Sequence, residues 1–196
     1  MRRAFVMAAC VALCSLAAAD RSTAQTAASA TPADEPAAWA ALRDGAIVIL
    51  RHANAPGGGD PSGFKLGDCS TQRNLDGAGR EQARRIGERL RHERVTVGAV
   101  WASRWCRSRE TAELLQAGAV RDAPAFNSYF ADRSREVAQT AAAREALLAW
   151  RGPGALVVVT HQVNIAALTG VFAASGEGVV LRRQGALLEP IGRLLP

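Results

Sequence analysis

Two uninterrupted apolar runs in this chain each lead to a histidine. Ala46-Ile47-Val48-Ile49-Leu50 leads into Arg51-His52, and Ala155-Leu156-Val157-Val158-Val159 leads into Thr160-His161. A half-exposed strand alternates apolar with polar residues, and a surface helix repeats every 3.6 residues. A short, β-branched, unbroken run fits neither pattern and predicts a strand buried on both faces, as in the parallel sheet of an α/β protein. Such sheets hold ligands outside the carboxyl ends of their strands, so the charged residues that end these runs fall where a site is expected.

The segments between the runs fit the same architecture. Gly57-Gly58-Gly59-Asp60-Pro61-Ser62-Gly63 opens a flexible loop that continues to about Asn74, beside Arg51-His52. Asp76 caps a predicted helix in which Ala83, Ile86 and Leu90 recur at helical spacing and arginines cover the other face. Residues 98–102 read as a second short strand ending at Ser103, followed by a helix over 107–116. Residues 143–150 are helical until Gly152-Pro153-Gly154, residues 163–172 have helical spacing, and 178–183 with 185–191 form a closing pair of strands. Strands alternating with helices predict a three-layer α/β/α sandwich with a mostly parallel central sheet. There are 196 residues, 48% of them hydrophobic, enough for one sizeable core and no more, and the fold is expected over 40–196.

The first residues stand apart. Two arginines, an apolar run too short to span a bilayer and then small residues, MRRAFVMAACVALCSLAAAD, read as a secretory signal peptide over 1–24, with a flexible lead over 25–39. The expected location is therefore periplasmic or secreted, with no stable membrane insertion once the signal is cleaved. Cleavage removes Cys10 and Cys14 and leaves Cys69 and Cys106, which in an oxidising compartment are expected to pair. It also removes Arg2, Arg3, Arg21 and Asp20, which takes the formal charge from +6 to +4. The remaining positive charge is scattered, without a block or an aromatic-interleaved patch, so no nucleic-acid partner is expected and an anionic small substrate explains the balance better.

In a parallel sheet, three strand ends lie together. Arg51-His52, Ser103 with Arg107, and Thr160-His161 would then surround one crevice, with backbone N–H groups at the start of the helix near Arg107. Arginine offers a planar fork of donors that matches phosphoryl oxygens and stabilises charge developing on them. A neutral imidazole whose other nitrogen is held by a hydrogen bond can attack phosphorus, which is the role His52 is placed to play, while His161 can donate to the phosphoryl oxygens. Ser103 either bonds the phosphate or caps the following helix, and Arg73, Asn74 and Arg104 are candidate substrate contacts.

LRHANA, SRWCRSRETA and VTHQ, in that order and spacing, resemble the three signature segments of the histidine phosphatase superfamily, which includes the phosphoglycerate mutases. The resemblance runs from about Ala40 onward. It implies an acid-type histidine phosphatase, a phosphoric monoester hydrolase in which His52 is transiently phosphorylated and Arg51, Arg107 and His161 complete the phosphate pocket, with no cofactor or metal. More narrowly, the leader and short chain are similar to exported bacterial members that act on a phosphorylated small molecule or glycan.

One departure from the pattern matters. The phytase and acid phosphatase branch places an aspartate proton donor after the second histidine, but here Gln162 stands there. The other branch draws an acid from the segment after the second arginine, where Asp132 is the expected donor and Glu136, Asp122 and Glu110 are competitors. Cysteine-based phosphatase chemistry fails, because Leu75 and Ala112 occupy the positions where an arginine must follow Cys69 and Cys106. A metal hydrolase needs more ligands than the two histidines and their neighbouring carboxylates supply. The remaining alternatives are a mutase and a non-catalytic phosphate-ligand binder that has kept the pocket.

Overall fold

The computed structural model describes Met1 and residues 34–196, so the expected signal peptide and the lead as far as residue 33 otherwise lie outside the described residues. Both apolar runs are strands: β1 spans Ile47–Arg51 and β4 spans Ala155–Thr160, every residue of β4 being buried. They are parallel neighbours at the centre of a six-stranded sheet of order β3-β2-β4-β1-β5-β6. Strand β2 (Val97–Ala102) and the three-residue edge strand β3 (Val120–Asp122) continue the parallel part. On the other side, β5 (Gly178–Gln184) and β6 (Leu187–Leu194) form the expected closing pair, and β5 runs antiparallel to β1.

The unbroken apolar character of the runs has a direct structural cause, since alternate residues feed two cores. Val48, Leu50, Val157 and Val159 pack on one face with Trp39 and Leu42 of α1 (Glu35–Arg43), Ile86 and Leu90 of α2 (Gly77–His92), and Ala112 of α3 (Cys106–Leu114). Ile47, Ile49, Leu156 and Val158 pack on the other with Phe126, Leu147 of α4 (Glu136–Ala149) and Ile165 of α5 (Gln162–Thr169). A polar residue at any of these strand positions would enter a core, and each buried Val, Leu or Ile side chain contributes about 1.5–3 kcal/mol. This is the three-layer α/β/α sandwich.

The start of the fold differs from expectation. Helix α1 begins at Glu35, inside the stretch read as a lead to residue 39, and buries Ala38, Trp39, Ala41 and Leu42. Its alanine-rich composition continues that of the preceding sequence and so gave no boundary, while Trp39 and Leu42 anchor it in the core. Helix α4 likewise begins at Glu136, seven residues before the predicted 143. Strand β3 is too short to carry a periodic signal.

Helix α2 is pinned at its first turn. Asp76 accepts from the Gly79 N–H (2.6 Å) and from Asn54 Nδ2 (2.9 Å), so the cap also ties the helix to the segment after His52. A Cβ on Gly79 would lie 2.0 Å from the Asn54 carbonyl oxygen, which is why glycine occupies that turn.

Candidate active site

Strand register brings the three predicted ends together. Arg51 pairs with Thr160 and Ala102 with Val159, and the ladder continues one step further through His52 N–H to the Thr160 carbonyl and Ser103 N–H to the Val159 carbonyl, both 2.9 Å. Arg51, His52, Arg107 and His161 consequently line one cavity of about 480 Å³, and Arg73 joins them from the loop.

His52 is fixed from both sides. The next residue's N–H donates to Thr111 Oγ1 (3.0 Å), that hydroxyl donates to the Arg107 carbonyl (2.7 Å), and the Asn54 N–H donates to Gln82 Oε1 (3.0 Å). Within the ring, Nδ1 lies 2.8 Å from the Ala53 carbonyl oxygen. A carbonyl only accepts, so Nδ1 carries the proton and Nε2 keeps its lone pair. Burial, and then the charges of Arg107, Arg73 and Arg51, push the His52 pKa down to about 3 against the opposing pull of the Ala53 hydrogen bond. The imidazole is therefore neutral at ordinary pH, as a nucleophile requires.

His161 is also held neutral, its pKa lowered well below the usual value by burial and then by His52 and the arginines. Its ring centroid is 5.4 Å from that of His52, and its Nε2 lies 2.8 Å from Ser103 Oγ and 3.4 Å from Ser108 Oγ. Ser103 is fully buried and so orients His161; it neither faces the cavity nor caps α3, whose capping residue is Trp105. The expected free N–H groups at the start of α3 are partly engaged, with Trp105 N–H on Ser103 Oγ (3.3 Å) and Cys106 N–H on Gln72 Oε1 (3.0 Å).

Three guanidinium groups reach the cavity. Arg51 Nη1 donates to the Ala173 carbonyl (2.9 Å), and Arg73 donates to the carbonyls of Gly59 (2.8 Å) and Ala55. Arg107, 3% exposed, makes a two-pronged pair with Asp60, Nη1 to Oδ1 at 2.6 Å and Nη2 to Oδ2 at 3.2 Å. Burial, and after it the charge of Arg107, lower the pKa of both Arg51 and Arg73, which records how closely like charges are gathered here. Among the described residues lining the cavity, Asp60 is the one carboxylate. Three cations against one anion leave an excess of two positive charges, the complement of a phosphoryl dianion.

Other expected contacts do not reach the cavity. Asp132, the expected proton donor, is exposed and its carboxylate caps a short turn, accepting from Ser134 Oγ (2.6 Å) and Ser134 N–H (3.2 Å); its neighbours Phe130 and Ala131 line the cavity and it does not. Glu136 pairs with Arg133, Asp122 with Arg109 and Glu110 with Arg80, all away from the lining. Asn74 donates to the Cys69 carbonyl (2.7 Å), and Arg104 is exposed with only its backbone N–H on Asn127 (2.9 Å). Sequence reasoning passed over Asp60, Trp105 and Phe64. Trp105 stacks on Phe64 (ring centroids 5.2 Å apart) to form an apolar wall and donates Nε1–H to Asp60 (2.9 Å). An acid inside a glycine-rich loop beside Arg51-His52 was the available signal for the first of these.

Cys69 and Cys106 form the expected disulfide, with their Cα atoms 5.7 Å apart. It staples the loop that carries Asp60 and Arg73 to the residue before Arg107.

A family profile described as the histidine phosphatase superfamily, branch 1, matches residues 47–127. Comparison with curated proteins gives no match. Among solved structures, the chain is similar to the protein histidine phosphatase SixA complexed with tungstate (14% identity, 76% of this chain and 96% of that one, TM-score 0.51). It is similar also to the mycobacterial glucosyl-3-phosphoglycerate phosphatase Rv2419c (19%, 76% and 95%, TM-score 0.54). A third is the phosphoserine phosphatase of Entamoeba histolytica in complex with 3-phosphoglyceric acid (10%, 77% and 97%, TM-score 0.55). At these identities the solved structures speak for the fold, and the profile covers the segment that carries Arg51, His52 and Arg107. The profile match and the pocket thus agree over the segment that carries Arg51, His52 and Arg107, where the chain is similar to the histidine phosphatase superfamily, branch 1.

Proposed function

We propose that the protein is a phosphoric monoester hydrolase that works through a phosphohistidine on His52. The observation that carries this reading is the tautomer of His52: with Nδ1–H on the Ala53 carbonyl, the lone pair of Nε2 is available in a cavity with three guanidinium groups. In the first step, Nε2 forms a bond to phosphorus as the ester P–O bond breaks and the leaving oxygen takes a proton. In the second, water attacks the phosphohistidine, the N–P bond breaks, and inorganic phosphate leaves with His52 restored. Arg51, Arg73 and Arg107 neutralise the charge on the non-bridging oxygens throughout. His161, held by Ser103, lies beside the reacting group and stabilises it by hydrogen bonding.

The substrate is proposed to be an extracytoplasmic phosphorylated small molecule or glycan. The leader-like N-terminus and the Cys69–Cys106 bond support an oxidising compartment, and an apolar wall of Trp105 and Phe64 supports a compact leaving group with a ring or apolar face. Phosphate release from a panel of sugar and aryl phosphates tests the reading. His52→Ala is expected to abolish release while the fold is retained; near-normal turnover in a folded His52→Ala protein removes His52 from the chemistry, and phosphate binding without turnover by the wild type favours a non-catalytic binder.

A further inference from the structure

We infer that Asp60 is the proton donor to the leaving oxygen, an inference that rests on the phosphohistidine reading above. Asp60 is placed between the two parts of the cavity that a phosphate ester must span. One carboxylate oxygen, Oδ1, lies 2.6 Å from Arg107 Nη1, and the other accepts Trp105 Nε1–H at 2.9 Å. Arg107 is a cation that the phosphoryl group needs, and Trp105 belongs to the wall along which the leaving group extends. An ester whose phosphoryl group sits on Arg107 and whose leaving group lies along Trp105 would bring its bridging oxygen next to this carboxyl group. The carboxylates of Asp132, Glu136, Asp122 and Glu110 are engaged elsewhere, so no other acid among the described residues that line the cavity is available for the role.

The pair with Arg107 also supplies the means of loading the proton. In the free enzyme Asp60 is an anion: burial works to raise its pKa, but the hydrogen bond and charge of Arg107, with the N–H groups of Trp105 and Arg73, hold it below the ordinary carboxylate value. A bound phosphoryl dianion competes for the same guanidinium. Once Arg107 turns its donors to the phosphate, the carboxylate is left half-buried beside two negative charges, and both conditions favour its protonated form. The proton then passes to the leaving oxygen as the P–O bond breaks, and the carboxylate so regenerated can take a proton from the water that attacks the phosphohistidine. Gly57 and Gly59, at φ of 92° and 72°, give the loop the backbone turns that bring Asp60 to the cavity, in a region that side chains disfavour.

The experiment compares two substrates in Asp60→Asn, which keeps an acceptor for Trp105 and Arg73 but cannot donate an acid proton. An alkyl phosphate such as glycerol 2-phosphate needs its leaving oxygen protonated, whereas 2,4-dinitrophenyl phosphate does not. For the alkyl ester kcat is expected to fall by about 10²–10⁴-fold, the usual range for general acid catalysis, and for the dinitrophenyl ester by less than about tenfold. Inhibition by inorganic phosphate, which no longer competes with a carboxylate for Arg107, should be at least as strong as in wild type, and the variant should still melt cooperatively on the same preparation. Equal losses on the two esters, with weakened phosphate inhibition, would assign Asp60 to holding Arg107 and overturn the proposal, as would unchanged turnover of both. If the Asn variant melts early, Asp60→Glu, which keeps an acid and its acceptors, is assayed in the same way: a similar loss on both esters there would overturn the proposal, and a larger loss on the alkyl ester would support it. Wild-type enzyme that turns over neither ester would instead overturn the reading on which the proposal stands.

Discussion

His52 and Asp60 face the same cavity and are held in opposite ways. His52 ends a strand in the middle of the sheet, its N–H continues the ladder, and hydroxyl and amide side chains from α2 and α3 fix the two residues that follow. Asp60 sits in a glycine-rich loop whose anchors are side-chain contacts to Arg107, Trp105 and Arg73 and a disulfide nine residues further on. In the proposed role of nucleophile His52 gains from rigidity, because a lone pair must be aimed before substrate arrives. As the proposed acid, Asp60 would be an anion when the site is empty and protonated when it is full, which a position set by an exchangeable ion pair allows. One pocket is thus built from a strand end held by the sheet and a loop held by side-chain contacts and a disulfide.

The largest expected stability effect comes from cutting the loop's staple. The Cys69–Cys106 bond closes 37 residues of chain, a constraint worth about 4 kcal/mol against the unfolded state. Cys69→Ser with Cys106→Ser is expected to lower the melting temperature clearly and to raise KM, because Arg73 and Asp60 lose their tether while His52 keeps its own. Unchanged KM in a folded double variant would show that the loop is as rigid as the sheet end and would break the contrast.

A smaller effect sharpens the other side of the comparison. The folded-state pKa of His52 lies near 3, below its ordinary 6.5, so between those values the unfolded chain binds a proton that the folded one does not. Stability is then fully present above about pH 6.5 and is lost as pH falls toward 3, at up to about 1.4 kcal/mol per pH unit for each such group, with His161 adding in the same direction. Urea unfolding of wild type and His52→Asn at several pH values checks this: the wild type is expected to lose stability more steeply on acidification. Parallel curves would mean that His52 is not held neutral by the fold.

The same division governed what could be read from the sequence. Burial on both faces leaves an unmistakable mark, so the central strands and the residues at their ends, Arg51, His52 and His161, were legible, as was the helix capped by Asp76 and patterned by Ala83, Ile86 and Leu90. Arg73 was legible as a candidate only. A glycine-rich loop has no periodicity, and its fold depends on long-range partners such as Arg107 and Cys106, so the one mark Asp60 left was its place in a loop beside Arg51-His52. Asp132 misled for the same reason: its segment borders the cavity, but a cap on Ser134, decided by local geometry, takes its carboxylate. Ser103 shows a subtler limit, since its position at a strand end was correct and its burial behind His161 depended on packing.

In the proposed reaction, phosphoryl transfer passes through His52. Rapid mixing of the enzyme with 2,4-dinitrophenyl phosphate, alkaline quench and mass spectrometry of the peptides tests it most directly. A phosphoryl group on His52 that appears within one turnover, decays at the rate of phosphate release and is absent from His52→Ala is the predicted result. Turnover with no adduct, or an adduct on another residue, would contradict the account.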